Sequence, residues 1–309
     1  MTRFVYDQFA KQYLTELLSP FGEVEASRAI AAEVREVDVI FSPASDHPPE
    51  VAILGLLGRL ATTAAIFEPF RNAVQPGEIR SCLSKLFELY NEFDRQANRE
   101  NTRLNEAQLP HLWILSPTVS QAVLSGFKAE LDLETWGEGI YFLGKSFKTG
   151  IVVIHQLPKT PETLWLRMLG KGKVQKQAIT ELRELPEDNP FRVQTLELLY
   201  NLLTILEVRQ DLETEDQSLV MELSPLYLER LENANQRGIQ QGIQQGIQQG
   251  LEQGQRRMVE GMLQAKFGEV DAELSAIIEP LLLIPPVEIS LLIAQLSREE
   301  LLARVRNEN

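Results

Sequence analysis

Glycine stands at positions 238, 242, 246, 250 and 254, and Ile or Leu follows each of the first four, so that 237–255 reads RGIQQGIQQGIQQGLEQGQ. The repeat is too regular for chance and too rich in glycine for an ordinary helix. A helix turns about 100° per residue, so a four-residue step overshoots one turn by about 40°. The glycine column and the column of Ile239, Ile243, Ile247 and Leu251 therefore wind slowly around the helix axis. As a helix, 238–254 would span about 25 Å. Each glycine costs roughly 0.8–1 kcal/mol relative to alanine, about 4–5 kcal/mol for the set, so an isolated helix here is marginal. Two readings stand. Either the segment is a flexible, partly helical spacer, or it is a helix whose cost is offset by packing against a second helix, with small residues four apart allowing close approach. Ile at fixed phase, for which a spacer has no need, favours the second.

The rest of the chain supplies a context for that segment. Among its 309 residues, 44% are hydrophobic and 24% charged, a composition that supports a sizeable core and leaves room for two domains. No run of about 18 apolar residues predicts a membrane span, and MTRFVYDQFAKQYL lacks an apolar signal core. The single cysteine, Cys82, forbids an internal disulfide and suits a reducing, cytoplasmic setting. It falls off the main apolar face of its helix and shows no adjacent base, which argues against a catalytic thiol. A net charge of −14 argues against a protein that coats nucleic acid with its whole surface, while leaving room for a local basic groove.

Hydrophobic periodicity predicts a helix over 4–18 stopped by Ser19-Pro20, a strand over 31–43, a short buried helix over 48–63 and a strand over 64–70. In the last of these, Pro69 marks an edge, a bulge or a strand end. An amphipathic helix over 76–99 follows, with Ile79, Leu83, Leu86, Phe87, Tyr90 and Phe93 on one face. Strands are expected within 109–118, 140–144 and 150–157, and helices from Thr160 onward, with Pro225 a kink or break. The fold class expected is α/β, a mixed sheet flanked by helices. Four regions follow: an α/β core over 1–158, a helical extension over 159–236, the repeat over 237–255, and a small all-α domain over 256–309 with Gly268 as a helix C-cap. So short a terminal piece makes only a small core and should lean on another helix or another chain.

One constellation of side chains could carry chemistry. Asp38 lies within the strand EVDVIF, Glu68 at the end of the strand IFEPF, and Glu16 on the first helix. Carboxylates from adjacent strand ends can converge on one point. Mg²⁺ takes a few such hard oxygen ligands and completes its shell with water and substrate phosphate. Against this, an acid on a strand also serves simply to face solvent, and Glu16 is most simply helix surface.

The element order, VREVDVIFSP around Asp38, IFEPFRN around Glu68, and the helix and LWILSPT strand behind them resemble the PD-(D/E)XK nuclease superfamily over roughly residues 4–155. The likeness is closer to a group of recombination-promoting nuclease and transposase-like proteins, cyanobacterial ones among them. AKFGEVDAELSAIIEPLLLIPPVEISLLIAQLSREELLARV is similar to the DUF4351 domain often appended to such proteins. The resemblance implies a restriction-endonuclease-like core in which Asp38 and Glu68 hold Mg²⁺ or Mn²⁺, Glu16 being a weaker match for a helix acid. It also implies a lysine two residues after the second acid, where this chain has Phe70, which can neither polarise a phosphate nor orient a water. Either another cation does that work or the site is inactive. Arg71 is adjacent, and Arg80 and Lys85 lie on the following helix; Arg71 and Lys85 are the candidate catalytic cations, Arg71 and Arg80 the candidate contacts to DNA phosphate.

Two functions are therefore carried forward. The first is a metal-dependent DNA endonuclease whose glycine-repeat helix and C-terminal helices self-associate. The second is a catalytically degenerate relative that works as an oligomeric binding or scaffold protein.

Overall fold

The computed structural model describes residues 2–30, 35–44, 49–103, 105–106, 109–208, 212 and 214–307. The chain divides into two compact units, Met1–Tyr227 and Leu228–Asn309.

The first unit opens with α1 (Thr2–Leu18), closed where expected by a 3-10 turn over Ser19–Phe21. The hairpin β1 (Gly22–Ile30) and β2 (Arg35–Pro43) follows, paired antiparallel from Gly22 opposite Pro43 to Ile30 opposite Arg35. Sequence patterning does not reveal β1, because charges interrupt its apolar alternation; residues 31–34 of the strand expected over 31–43 lie outside the described residues. The helix expected over 48–63 is a 3-10 turn, Pro49–Leu54, running into α2 (Gly55–Leu60). Next come β3 (Ala65–Pro69), α3 (Pro76–Arg99) and β4 (His111–Ser116). Pro69 proves to be a strand end: every residue of β3 is buried, and Pro69 is its last. Then follow α4 (Gln121–Gly126), β5 (Glu130–Leu131), β6 (Ile140–Phe142), β7 (Thr149–Val153), α5 (Leu164–Arg167), α6 (Lys173–Glu184) and α7 (Pro190–Glu207). The long helix α8 (Thr214–Phe267) carries Pro225 in its interior without a break.

Among the described residues, seven strands form one mixed sheet in the order β1-β2-β3-β4-β7-β6-β5. The central pairs β3–β4 and β4–β7 are parallel and the outer pairs antiparallel. Central strands buried on both faces read as continuous apolar runs, which is why IFEPF and LWIL stand out in the sequence. Alternate residues serve opposite cores. Phe41, Phe67, Trp113, Leu115 and Val152 pack with α1, α2, α5, α6, α7 and the start of α8. Ile40, Ile66, Leu112, Ile114 and Ile151 pack with α3 and α4. Helices α5, α6 and α7 and the start of α8 thus pack into the core of the sheet.

In α3 the buried face runs through Ile79, Cys82, Leu83, Leu86 and Leu89, while Phe87 remains 39% exposed. Cys82 therefore sits on the buried face, not off it as the pattern of large apolar residues suggests; sulfur packs here as a small hydrophobe.

In the second unit, the end of α8 is joined by α9 (Ala272–Ala276), α10 (Ile278–Leu282), α11 (Pro286–Gln295) and α12 (Arg298–Asn307). Val259 and Leu263 of α8 complete a core with Leu274, Ile278, Leu281, Ile289, Ile293 and Leu301, so the helix on which this small domain leans is its own. Gly268 (φ 87°) ends α8 as expected, and its N–H reaches the Gln264 carbonyl at 3.0 Å. Lys266 Nζ donates to the carbonyls of Ile293, Ala294 and Leu296 at 2.6–2.9 Å, closing the C-terminal end of α11 with a positive charge. Before this core, the glycine repeat is helical throughout. Ile239, Ile243, Ile247 and Leu251 are 55%, 58%, 60% and 62% exposed, and a Cβ added at any glycine from Gly238 to Gly254 would meet nothing within 4 Å. Among the described residues, no helix is long and apolar enough to cross a membrane.

Candidate functional site

Antiparallel pairing sets Val39 opposite Phe67, and one residue further on the same register sets Asp38 opposite Glu68. The Asp38 N–H lies 3.4 Å from Glu68 Oε1. Both acids line a pocket of about 260 Å³, walled by Tyr6, Asp7 and Ala10 of α1 on one side and Glu78, Ser81 and Lys85 of α3 on the other. The α3 residues follow the i, i+3, i+7 spacing of one helical face. A Gln75–Glu78 capping box, with Pro76 in the first turn, fixes where that face begins.

Each acid has its own ammonium. Lys85 Nζ reaches the two oxygens of Glu68 at 3.0 and 2.8 Å, and Lys11 Nζ reaches Asp38 at 2.9 Å and Asp7 at 3.0 Å. Glu68 is only 2% exposed, and its pKa is raised to about 7. Burial is the main cause; the negative charge of Asp38 adds to it, and Lys85 opposes both. Asp38 is also raised by burial, against the pull of Lys11. Burial alone would lower Lys85, but Glu68 outweighs it and leaves the ammonium firmly protonated. The Cys82 thiol lies 3.8 Å from Glu68 and is pushed up by burial and then by that carboxylate, so it stays protonated and unreactive.

The predicted residues divide. Asp38, Glu68 and Lys85 meet in one pocket, with Lys85 presenting its ammonium to Glu68 from α3 while Phe70, the position expected to hold a lysine, lines the same pocket with an aromatic ring. Arg71 also lines it, but its guanidinium is committed to structure. Nη1 donates to the Gly170 carbonyl and to Gln175 at 3.0 and 3.1 Å, Nη2 donates to Asp216 at 2.8 Å, and the group lies 3.6 Å from the centre of the Tyr6 ring. Tyr6 in turn donates to Asp216 at 2.6 Å, so this network ties α1, α6 and α8 to the end of β3.

Glu16 and Arg80 are not brought in. Glu16 accepts from Gln12 at 3.0 Å and does not line the pocket. Nine residues separate it from Asp7, a rotation of about 180°, so the two lie on opposite sides of α1. Arg80 is exposed and also lies outside the lining. Sequence reading passed over Asp7 and Lys11; their one signal was an i, i+4 acid–base pair on a helix preceding the Asp38 strand.

Among the described residues, no group of three or more His, Cys, Asp or Glu side chains could by itself hold a metal ion. A cation here would rest on two carboxylates, the number that Mg²⁺ commonly takes from a protein when water and substrate phosphate supply the rest. Compared with known proteins, the chain matches no family model, no curated sequence and no solved structure.

The buried Lys85–Glu68 pair makes a pH-dependent prediction. Removing one partner of such a pair typically costs about 3–5 kcal/mol. A carboxyl raised above its unfolded value of about 4.3 loses stability as pH rises through the window between the two values, and removing Lys85 raises the folded value further. Lys85→Met should therefore destabilise the protein by about 3 kcal/mol at pH 8 and by much less near pH 5, where Glu68 binds a proton. Denaturant unfolding at the two pH values measures this, and an equal loss at both would show that Glu68 does not titrate with the pair.

Proposed function

We propose that the first unit is a metal-dependent phosphodiesterase acting on DNA, built on a restriction-endonuclease-like core. The observation that carries this reading is the juxtaposition of Asp38 and Glu68 on adjacent strands, with Lys85 beside them in one pocket. Two carboxylates that disfavour each other's charge form a cation site, and the oxygen donor set suits Mg²⁺ or Mn²⁺. Such an ion, held by Asp38 and Glu68, would polarise a phosphoryl oxygen and lower the pKa of a bound water. Lys85 favours the ionised form of Glu68 against its burial and sets a positive charge beside the place where a phosphate would sit. Lys11, itself paired with Asp7, holds Asp38 in place from α1. A cytoplasmic setting accords with the single buried thiol. Purified protein with Mg²⁺ or Mn²⁺ should nick supercoiled DNA, and Asp38→Ala should abolish nicking while keeping the fold. Equal residual nicking by both proteins would identify a contaminant and remove this reading.

The rival, a catalytically degenerate assembly protein, draws on a separate observation: both acids are already neutralised by lysines, while an apolar stripe on α8 stands uncovered. Self-association fits either reading. Ile239, Ile243, Ile247 and Leu251 form a column beside glycines whose Cα surfaces are open, and a second copy of the same helix offers the complementary face. Burying such side chains contributes about 1.5–3 kcal/mol each, enough to offset the glycine cost. The full chain should have an oligomer mass in solution at micromolar concentration, and Ile239→Ser/Ile243→Ser/Ile247→Ser should lower it. A monomeric full chain, or an unchanged mass in the triple variant, would make the repeat a spacer.

A further inference from the structure

The two lysines at the Asp38–Glu68 pocket are not equivalent. Among the described residues, Lys85 forms an ion pair with Glu68 alone, and its ammonium spans both oxygens of that carboxylate at 3.0 and 2.8 Å. Lys11 is shared. Its ammonium lies 2.9 Å from Asp38 Oδ1 and 3.0 Å from Asp7 Oδ2, with Ser27 Oγ at 3.4 Å. Asp7 and Lys11 stand one turn apart on the same face of α1. Asp7 also lines the pocket, and its side chain is 35% exposed against 16% for Asp38. The Lys11 ammonium therefore stands between an inner carboxylate, beside Glu68, and an outer one nearer to solvent.

This difference decides what happens when a divalent cation approaches. A cation shared by Asp38 and Glu68 and an ammonium on the same carboxylate repel each other at this range, so the two compete for Asp38. A lysine is a point charge on a flexible stem and changes partner by rotating side-chain bonds. If Lys85 gave up Glu68 it would leave its only carboxylate, and a part-buried ammonium without a partner is costly. If Lys11 gives up Asp38, it keeps Asp7, which it already touches. Clearing the inner carboxylate is therefore least costly at Lys11, and the move carries positive charge outward, away from the incoming ion.

We propose that Lys11 is the exchangeable counter-ion of the cation site: it holds Asp38 in the empty protein and withdraws to Asp7 when a divalent cation binds. The inference rests on the reading of Asp38 and Glu68 as a cation site. Lys11 and Asp7 are positioning residues in it, and Lys85 stays on Glu68 throughout. The pair of acids is then neutralised when empty without being closed, because one of its two ammoniums has a second carboxylate to go to.

The test is binding, not cleavage. Mn²⁺ is titrated into the full chain at pH 8, and the free ion is followed by electron paramagnetic resonance. Lys11→Met removes the competing ammonium and should tighten Mn²⁺ binding about tenfold or more, the usual effect of one charge at this distance. A merely structural lysine would give the opposite result, because its loss loosens Asp38. Asp7→Asn keeps the Lys11–Asp38 pair, removes the place to which the ammonium withdraws, and should weaken binding several-fold; it also keeps the proposal open to refutation if Lys11→Met fails to fold. That weakening should persist in roughly 1 M KCl, where charges beyond about 3 Å are screened. Wild-type binding that Lys11→Met leaves equal or weaker would overturn the exchange and spare the cation site. An Asp7→Asn effect that is absent, or that vanishes in high salt, would overturn the part given to Asp7. Binding by Lys11→Met alone would support the exchange, with the ammonium holding the wild-type site shut. No binding by any of the three proteins would sink the cation reading and this inference with it.

Discussion

A carboxylate at the end of a strand buried on both faces must be compensated, and Glu68 is that carboxylate. An uncompensated charge in such a place would cost several kcal/mol, so its neighbours are constrained. Lys85 must come from α3, which fixes the rotation of that helix over the sheet; the same face then buries Cys82 and Leu86. Asp38, brought opposite by the β2–β3 register, would worsen the problem but for Lys11 on α1. Two helices on different sides of the pocket thus each deliver a lysine to one of two adjacent acids. The arrangement is tense: Glu68 titrates near neutral pH although an ammonium touches both its oxygens. A divalent cation between the acids, or a phosphate beside the lysines, would each relieve part of that tension.

A different constraint governs α8. Its first turns are anchored in the first unit by Asp216, Leu219 and Leu223, and its last turns supply Val259 and Leu263 to the second. Between these anchors lies a segment whose recurrent glycines lower its intrinsic helix propensity. Continuity from both ends removes the nucleation cost that an isolated helix would bear, but leaves the cost of each glycine in place. Helicity alone does not explain the Ile and Leu column, whose residues remain more than half exposed.

Much of this was legible in the sequence because the central strands are short, apolar and bounded by Pro or Ser-Pro, and because α3 has a strong 3.6-residue pattern. That Asp38, Glu68 and Lys85 meet in one pocket follows from strand ends and the following helix having predictable neighbours. The strand β1 was missed because its charges and Ser27 (φ 55°) break the alternation; it is held by pairing with β2 rather than by its own pattern. Glu16 lies outside the pocket because a residue number on a helix does not say which side faces the sheet, whereas Asp7 lines the pocket and Lys11 reaches Asp38. Arg71 looked like a free cation, and only the fold shows Asp216, distant in sequence, occupying its guanidinium.

The account turns on whether Asp38 and Glu68 act as one cation site. Titrating Mn²⁺ into the full chain and following the free ion by electron paramagnetic resonance measures this without reference to any substrate. The proposed function predicts one bound Mn²⁺ per chain at neutral pH, weakening as pH falls below 7 and Glu68 takes up its proton, and lost in Glu68→Gln. No bound Mn²⁺ in the wild type, or equal binding by Glu68→Gln, would contradict it.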